Sequence, residues 1–300
     1  MKMYHNPVLL KESVDGLNIN PDGVYVDVTF GGGGHSREIL SRLGANGRLF
    51  AFDQDPDAVA NKLDDDRFVL IEENFKNIKR FLRFYGVREV DGVLADLGVS
   101  SHQFDASERG FSTRFDGDLD MRMNQQSDLS AFKVINSYAE EDLANILFQY
   151  GELRNSRAIA KKLAEERSAA PIKTSFQLKA ALKQFLPASK EHKILAQIYQ
   201  AIRIEVNQEL EVLKDFLTQI PEMLTDTGRL SVISYHSLED RLVKRFIQHG
   251  KFDGLPEKDF FGNVEVPLKK VGKLIIPTKI EIAENNRARS AKLRIATKSL

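Results

Sequence analysis

One stretch near the start of the chain decides the fold, because an apolar run leads there into four consecutive glycines. It consists of Val24-Tyr25-Val26-Asp27-Val28-Thr29-Phe30-Gly31-Gly32-Gly33-Gly34-His35-Ser36. The β-branched first half is typical of a buried strand, and a helical pattern runs from Ser36 to Leu43. Consecutive glycines weaken helices and strands, so they predict a turn in which the backbone passes close to another group. A strand, a glycine-rich turn and a helix N-terminus together predict a nucleotide-type cofactor site.

Strand and helix patterns alternate after the glycines. Three further short apolar runs predict strands at Leu49–Asp53, Phe68–Ile71 and Val93–Asp96. Helical patterns precede the first strand (residues 8–17) and separate the later ones (residues 55–63 and 75–85). Short apolar strands separated by helices imply a parallel sheet that is covered on both faces.

The alternation stops after Asp96, and the next convincing strand, Arg229–Tyr235, lies more than 130 residues further on. Crossover connections in such sheets are far shorter. The intervening chain predicts helices, including one long amphipathic helix from Ile194 to Leu217. We therefore expect a doubly wound α/β sheet of residues 1–104 and 209–300, with an inserted all-helical domain of residues 105–208.

The chain closes with a predicted basic helix and three short strands. Ser237 to Asp240 has the pattern of a capping box at the start of that helix. The expected strands are Leu274–Ile276, Ile280–Ile282 and Leu293–Ala296.

Composition excludes several classes of protein. Hydrophobic residues make up 42% and charged residues 29% of the 300 residues, as in a soluble globular protein. Cysteine is absent, which excludes disulfides, thiolate metal sites and cysteine nucleophiles. No apolar run approaches the roughly 20 residues of a membrane span, and no signal-peptide segment starts the chain. We therefore expect a cytoplasmic protein that does not enter a membrane.

Asp53 strengthens the prediction of a cofactor site. It ends the second strand, 22 residues after Gly31, where an acid binds ribose hydroxyls in nucleotide folds. The alternative is that Asp53 caps the following helix, a role that Asp55 can also fill. Ser36 stands where a dinucleotide site has its third glycine, and an acid, Asp27, precedes the turn. These features favour the cationic, phosphate-free S-adenosylmethionine without deciding for it.

Eight ordered motifs resemble those of one family. They are His5-x-Pro7-Val8-Leu9-Leu10-x-Glu12, Thr29-Phe30-Gly31-x-Gly33-Gly34-His35-Ser36, Asp96-Leu97-Gly98-Val99-Ser100-Ser101-x-Gln103, Glu108-Arg109-Gly110-Phe111-Ser112, Leu119-Asp120-Met121-Arg122-Met123, Ala201-x-Arg203-x-x-Val206-Asn207-x-Glu209-Leu210, Ser234-Tyr235-His236-Ser237-Leu238-Glu239-Asp240-Arg241 and Ala288-Arg289-Ser290. Over essentially its whole length the chain resembles the RsmH (MraW) family of ribosomal RNA cytosine-N4 methyltransferases. Asp118 and Glu205 stand where that family often has proline and a hydrophobic residue.

The resemblance implies a fold, a cofactor and a substrate. The sheet would be a Rossmann-like S-adenosylmethionine methyltransferase sheet, and the inserted domain would recognise substrate. The reaction would be methylation of the exocyclic N4 of a P-site cytidine in 16S ribosomal RNA of the small ribosomal subunit. The implied cofactor contacts are Gly33, Gly34, His35, Asp53, Phe75, Asp96 and Gln103. No metal is implied, and a homodimer remains an alternative to a monomer.

The chemistry of that reaction points to an acceptor after the fourth strand. Cytosine N4 is a poor nucleophile, so a hydrogen-bond acceptor must hold its amine hydrogens and free the lone pair. Asp96 is one candidate, and a backbone carbonyl of residues 97–99 is the alternative if Asp96 serves the cofactor. His236 is a second candidate catalytic residue, because it follows the fifth strand.

Other residues and functions remain open. Arg109, Arg122 and Arg203 either meet RNA phosphates or form salt bridges inside the inserted domain. Five basic residues and no acid lie between Asn285 and Leu300, which predicts either a phosphate-binding face or a solvated tail. The alternative functions are a DNA cytosine-N4 or small-molecule methyltransferase, and a non-catalytic RNA-binding module of ribosome assembly.

Overall fold

The structure is a computed structural model that describes residues 7–254, 256, 258, 260–262, 264 and 266–299. His5 of the first quoted motif lies outside those residues. The chain divides into two compact units, Met1–Gly98 with Leu210–Leu300 and Val99–Glu209. Each unit has a large hydrophobic core of its own.

Seven strands form a single sheet in the first unit, as far as the described residues show. The strands are β1 (Val24–Asp27), β2 (Arg48–Phe52), β3 (Phe68–Ile71), β4 (Val90–Asp96), β5 (Leu224–Ser234), β6 (Leu268–Ile275) and β7 (Lys292–Lys298). Their order across the sheet is β3-β2-β1-β4-β5-β7-β6. β7 pairs antiparallel with β5 and with β6, and the other pairs are parallel. The carboxyl ends of β1 to β5 therefore share one edge of the sheet.

Helices fill the connections. They are α1 (Leu10–Gly16), α2 (Gly34–Arg42), α3 (Pro56–Val59), α4 (Ile78–Phe84), α5 (Ser101–Asp105), α6 (Ala131–Ser137), α7 (Glu140–Gln149), α8 (Ser156–Ala169), α9 (Ser175–Ala181), α10 (Glu191–Asn207), α11 (Glu209–Met223), α12 (Ser237–His249) and α13 (Lys279–Glu284). Short 3₁₀ turns cover Phe75–Asn77, Ser107–Arg109, Lys183–Phe185 and Asn286–Ser290. Over the described ranges, no helix combines the length and the apolar character that crossing a membrane requires.

Helices pack on both faces of the sheet because strand side chains point alternately to opposite sides. Val26 of β1 lies in a core with Phe216 of α11 and Val243 of α12. Its neighbour Tyr25 lies in a separate core with Ile39 of α2. The predicted doubly wound α/β class is therefore confirmed.

The second unit is helical and has its own core. Apart from an isolated bridge between Asp118 and Thr174, its described regular elements are helices. The core gathers side chains from α6, α7, α8, α9 and α10. The assignment of this unit to substrate recognition stays a prediction.

The predicted helix from Ile194 to Leu217 is wrong, because the chain forms two helices there. α10 ends at Asn207, and Gln208 adopts a left-handed conformation with φ 51° before α11 begins. The apolar residues keep their helical spacing across the break, but the two halves of this stripe pack in different cores. Ile202 packs in the core of the second unit, whereas Leu213 packs in that of the first.

The predicted strand Ile280–Ile282 is also wrong, since these residues lie in α13. The alternation of isoleucine with polar residues suggested a strand, but Thr278 starts a helix. Its hydroxyl accepts the backbone N–H of Glu281 at 3.1 Å and so satisfies one free donor of the first turn. The two other predicted strands correspond to β6 and β7.

Replacing Gln208 with glycine should stabilise the protein. A residue with a Cβ is strained in the left-handed region, and Gln208 is exposed, so its side chain has no core to lose. We expect Gln208→Gly to raise the free energy of unfolding by about 0.5 kcal/mol in urea titrations. Lys193→Gly, at an exposed position inside α10, is the control and should lower it by about 1 kcal/mol. Equal losses in the two variants would contradict the assigned strain.

Candidate functional site

The glycine loop between β1 and α2 has the turn geometry that the sequence predicted. Gly31 and Gly33 have φ values of 48° and 72°, a region that glycine adopts without strain. A Cβ on Gly33 would lie 2.9 Å from the Phe30 ring, and one on Gly34 would lie 2.1 Å from Cγ of Pro7. The loop is therefore packed too closely for side chains at either position. α2 begins at Gly34, directly after the turn.

Asp53 ties the loop to the end of the second strand. Its Oδ2 accepts the backbone N–H of Gly31 at 2.7 Å, and its Oδ1 accepts that of Asp55 at 2.9 Å. Asp55 caps α3, because its side chain accepts the N–H of Asp57 at 3.1 Å. The capping role weighed for Asp53 thus belongs to Asp55. Each oxygen of a carboxylate accepts two hydrogen bonds, so Asp53 keeps acceptor capacity for a ligand.

Asp96, at the end of β4, is held from three sides. The hydroxyl of Tyr235 donates to Oδ1 at 2.7 Å. The backbone N–H of Asp96 donates to the hydroxyl of Thr29 at 2.7 Å, and Nδ1 of His35 lies 3.8 Å from Oδ2. The side chain of Asp96 remains 23% exposed, so it is both fixed and accessible.

His35 is buried between Asp96 and the chain before α1. Its Nε2 lies 3.2 Å from the carbonyl oxygen of Val8. A carbonyl only accepts, so Nε2 carries a hydrogen. The side chain of His35 is 5% exposed, and the role of this residue as a cofactor contact stays a prediction.

Burial shapes the electrostatics of this edge. Desolvation raises the pKa of Asp96 to about 6, although His35 and the hydroxyl of Tyr235 oppose the rise. Desolvation likewise raises the pKa of Asp53 to about 6, and the charges of Asp55 and Asp27 add to it. The pKa of Asp27 is also raised by burial. Burial thus disfavours the charged forms of three carboxyl groups at the same edge of the sheet. A cationic ligand there would stabilise these charged forms.

Phe75, a predicted cofactor contact, lies in the 3₁₀ turn that follows the neighbouring strand β3. Asn74 caps this turn and donates from Nδ2 to Oε1 of Gln54 at 2.9 Å, which links the ends of β2 and β3. The half-buried ring of Phe75 packs edge-on against Phe216, with centroids 5.3 Å apart. Gln54 directly follows Asp53, so this link lies next to Asp53, and the cofactor role of Phe75 stays a prediction.

His236 caps α12, which corrects the predicted capping box. The predicted cap was Ser237, but Nδ1 of His236 accepts the N–H of Glu239 at 3.5 Å. The Glu239 carboxylate accepts the N–H of Tyr235 at 2.9 Å and lies 3.1 Å from Nε2 of His236. His236 directly follows Tyr235 in the chain. Its catalytic role stays a prediction.

The chain matches one known protein family over almost its whole length. The family model described as the MraW methylase family matches residues 2–299. The chain belongs to this family. The predicted resemblance is confirmed.

Named relatives agree with the family. A protein of Flavobacterium johnsoniae named "Ribosomal RNA small subunit methyltransferase H" is 66% identical over 98% of this chain and 98% of its own length. A protein of the same name from Cytophaga hutchinsonii is 58% identical over 98% of this chain and 99% of its own. One from Bacteroides thetaiotaomicron is 55% identical over 98% and 97%.

Gln103, the remaining predicted cofactor contact, lies in the second unit. It sits in α5, where its side chain accepts the N–H of Ser100 at 3.1 Å while the Ser100 hydroxyl accepts that of Gln103 at 3.2 Å. This reciprocal pair is a capping box. The cofactor role of Gln103 in this methylase stays a prediction.

The three arginines of the family motifs have partners inside the second unit. Arg122 contacts both oxygens of Asp120, at 2.6 and 3.0 Å. Arg203 contacts both oxygens of Glu209, at 2.7 and 2.8 Å. Arg109 is buried and donates to the carbonyl of Arg122 at 2.9 Å. Arg122 and Arg203 therefore form the salt bridges of the structural alternative, and Arg109 is hydrogen-bonded inside the same unit.

The basic C-terminal segment is not a solvated tail. Lys292 and Arg294 lie in β7 and contact Asp240 at 3.1 and 2.7 Å. Lys298 contacts Asp226 at 3.4 Å. Seven residues of the segment, Lys292–Lys298, therefore belong to the sheet, and the three basic residues among them are paired with acids.

The Tyr235 hydroxyl should control the ionisation of Asp96. Tyr235→Phe removes a hydrogen bond to the charged carboxylate, so the pKa of Asp96 should rise from about 6 by about half a unit to one unit. Carbon-13 NMR of labelled aspartate measures this pKa directly. Tyr138→Phe is the matched control, because the Tyr138 hydroxyl donates to Glu205 at the same 2.7 Å in the second unit. An unchanged Asp96 pKa in Tyr235→Phe would contradict the assigned role.

Proposed function

We propose that the chain methylates the exocyclic N4 of a P-site cytidine in 16S ribosomal RNA of the small subunit, with S-adenosylmethionine as methyl donor. The observation that carries the proposal is Asp96: a fixed, partly exposed carboxylate beside a glycine loop in a MraW-family methylase. Relatives named for the ribosomal RNA of the small subunit support the substrate. The cytoplasm is then the expected compartment, and the homodimer stays a prediction.

The residues at the edge of the sheet fit S-adenosylmethionine by charge. When bound, it supplies an electrophilic methyl group on a cationic sulfur. Asp53 would accept the ribose hydroxyls with its remaining acceptor positions. Gly33, Gly34 and the backbone of His35 would contact S-adenosylmethionine, and Phe75 would lie beside its adenine. The raised pKa values of Asp53 and Asp96 support this fit, since a cation stabilises their charged forms.

Asp96 has the properties that an acceptor for the cytosine amine needs. The amine lone pair is delocalised into the ring, and a carboxylate that holds an N–H hydrogen shifts electron density back to nitrogen. Tyr235 and Thr29 fix the side chain and backbone of Asp96, so no reorientation is needed when the base arrives. The alternative acceptor is a backbone carbonyl of residues 97–99, where Gly98 has a φ of 98°.

A substrate assay tests the proposal. The protein is incubated with labelled S-adenosylmethionine and either small ribosomal subunits from cells that lack the gene or naked DNA. We expect label in the ribosomal RNA, and nucleoside mass spectrometry should identify it as N4-methylated cytidine. Label in DNA alone would overturn the proposal in favour of a DNA methyltransferase.

Loss of the Asp53 carboxylate should weaken cofactor binding. We expect Asp53→Ala to weaken S-adenosylmethionine binding at least tenfold in calorimetry, since a charged pair of hydrogen bonds to a ribose is worth about 1.5–3 kcal/mol. Asp57→Ala, an exposed acid on α3, is the control and should bind normally. A wild type that fails to bind the cofactor would instead support a non-catalytic RNA-binding module.

Neutralising Asp96 should slow methyl transfer without unfolding the protein. Asp96→Asn at saturating cofactor should lose about 10²–10³-fold in kcat, because an amide is a weaker acceptor than a carboxylate. In the wild type the charged form is active, so kcat/KM should rise with pH through about 6. Full turnover of Asp96→Asn would assign the acceptor to the backbone alternative.

The stability of the same variant provides the control. The pKa of Asp96 is raised from 3.8 to about 6, so folding favours its neutral form. The cost of burying its charge is absent below pH 4, develops between pH 4 and 6, and is complete at pH 7. Asp96→Asn should therefore melt no lower than the wild type at pH 7.5, and a large drop in melting temperature would attribute the lost turnover to misfolding.

A further inference from the structure

The edge strand β6 and helix α12 form a basic pocket that the methyl-transfer chemistry does not use. Three lysines of the first unit, Lys244 of α12 with Lys270 and Lys273 of β6, line the pocket together with Arg294 and Gln248. Arg294 is paired with Asp240. For the three lysines, in contrast, the described residues include no carboxylate partner, and no described acid lines the pocket. Among the described residues, these three positive charges therefore have no acid beside them at the pocket.

A glycine bulge brings two of these lysines to the pocket. Val271 pairs with Ile295 and Ile275 pairs with Leu293, so four steps along β6 match two along β7. Gly272 allows this bulge with a φ of 67°. Bulges redirect side chains and are common beside functional sites. Here the bulge places Lys270 and Lys273 on the same pocket as Lys244.

The register of the sheet fixes where the pocket lies relative to Asp96 in the first unit. β6 runs parallel to β5, because both pair antiparallel with β7. Lys270 lies level with Leu230 of β5 and with Val93 of β4, three residues before Asp96. β6 is three strand positions from β4, which is about 14 Å at the usual spacing, and three residues along a strand add roughly 10 Å in the other direction. A few nucleotides of an RNA strand span this separation.

We propose that Lys244, Lys270 and Lys273 bind phosphates of the RNA backbone that flank the methylated nucleotide. The inference rests on the proposed function, since it takes its polyanion from the substrate. Charge complementarity identifies the ligand, because clustered unpaired lysines bind phosphates and gain affinity as counterions are released. Lysines on an edge strand also deter pairing with other chains. That explanation does not extend to Lys244, which lies on a helix.

The test is a salt series of RNA binding. The probe is a fluorescent 40-nucleotide RNA hairpin, titrated with wild type and with Lys244→Gln/Lys270→Gln/Lys273→Gln. At 150 mM salt we expect the triple variant to bind about tenfold more weakly. The plot of log K against log salt should become shallower. The magnitude of its negative slope should decrease by about two to three, near one for each lost phosphate contact. Binding of S-adenosylmethionine and the melting temperature should not change.

A matched triple variant controls for total charge. Lys79, Lys214 and Lys298 lie in the same unit, and each is paired with a carboxylate. Replacing these three with glutamine removes the same charge and should leave the salt slope within about 0.5 of wild type. Equal losses in both triple variants, or wild-type affinity in the pocket variant, would overturn the inference.

Two further arms separate the partner and the proposed function. Vesicles with one quarter phosphatidylserine replace the RNA in one arm, and binding of wild type to vesicles but not to RNA would overturn the assignment to RNA. In the other arm, methylation of small ribosomal subunits is measured with wild type and with the pocket variant. A raised KM with unchanged kcat in the pocket variant supports the inference, and an unchanged KM overturns it alone. No transfer by wild type would overturn the proposed function itself.

Discussion

The buried carboxylate of Asp27 is the contact on which the glycine loop depends. Its Oδ1 accepts the N–H of Thr29 at 3.1 Å where the loop begins, and its Oδ2 accepts the hydroxyl of Ser36 at 2.7 Å where α2 has started. One side chain therefore joins both ends of the loop. Hydrogen bonds to a charged group contribute about 1.5–3 kcal/mol, which offsets the burial that raises the pKa of Asp27. Between these anchors, the left-handed glycines Gly31 and Gly33 hold a fixed turn.

The same carboxylate belongs to a cluster that costs the fold stability. Asp27, Asp53 and Asp96 end adjacent strands, so their charges meet at one edge where desolvation disfavours each of them. A hydrophobic replacement would not carry this cost. Proteins retain such unfavourable groups where a ligand compensates them, and stability is then exchanged for function. A cationic ligand at this edge would offset the unfavourable burial of all three negative charges together.

The sheet was predictable from sequence because its signals are local. Apolar runs, glycines and terminal acids occur within a few residues of one another, as at Asp53. The support of Asp96 was not predictable, since Tyr235 and Thr29 lie 139 and 67 residues away in the chain and no local pattern shows that they contact it. The break at Gln208 was hidden because the apolar stripe continues past it. An amphipathic pattern shows that residues face a core, but it does not show that two cores are involved.

Pairing identifies an RNA surface better than the number of basic residues does. The arginines that the motifs single out are engaged internally, because the planar guanidinium matches a carboxylate in two-point contacts such as that of Arg203 with Glu209. A cation already neutralised in this way releases few counterions on meeting a phosphate. Lysines for which the described residues offer no carboxylate partner, such as Lys244 and Lys273, keep their full charge for a ligand. A chain of zero net charge can therefore bind a polyanion through a few cations that the acids around them, as far as they are described, do not neutralise.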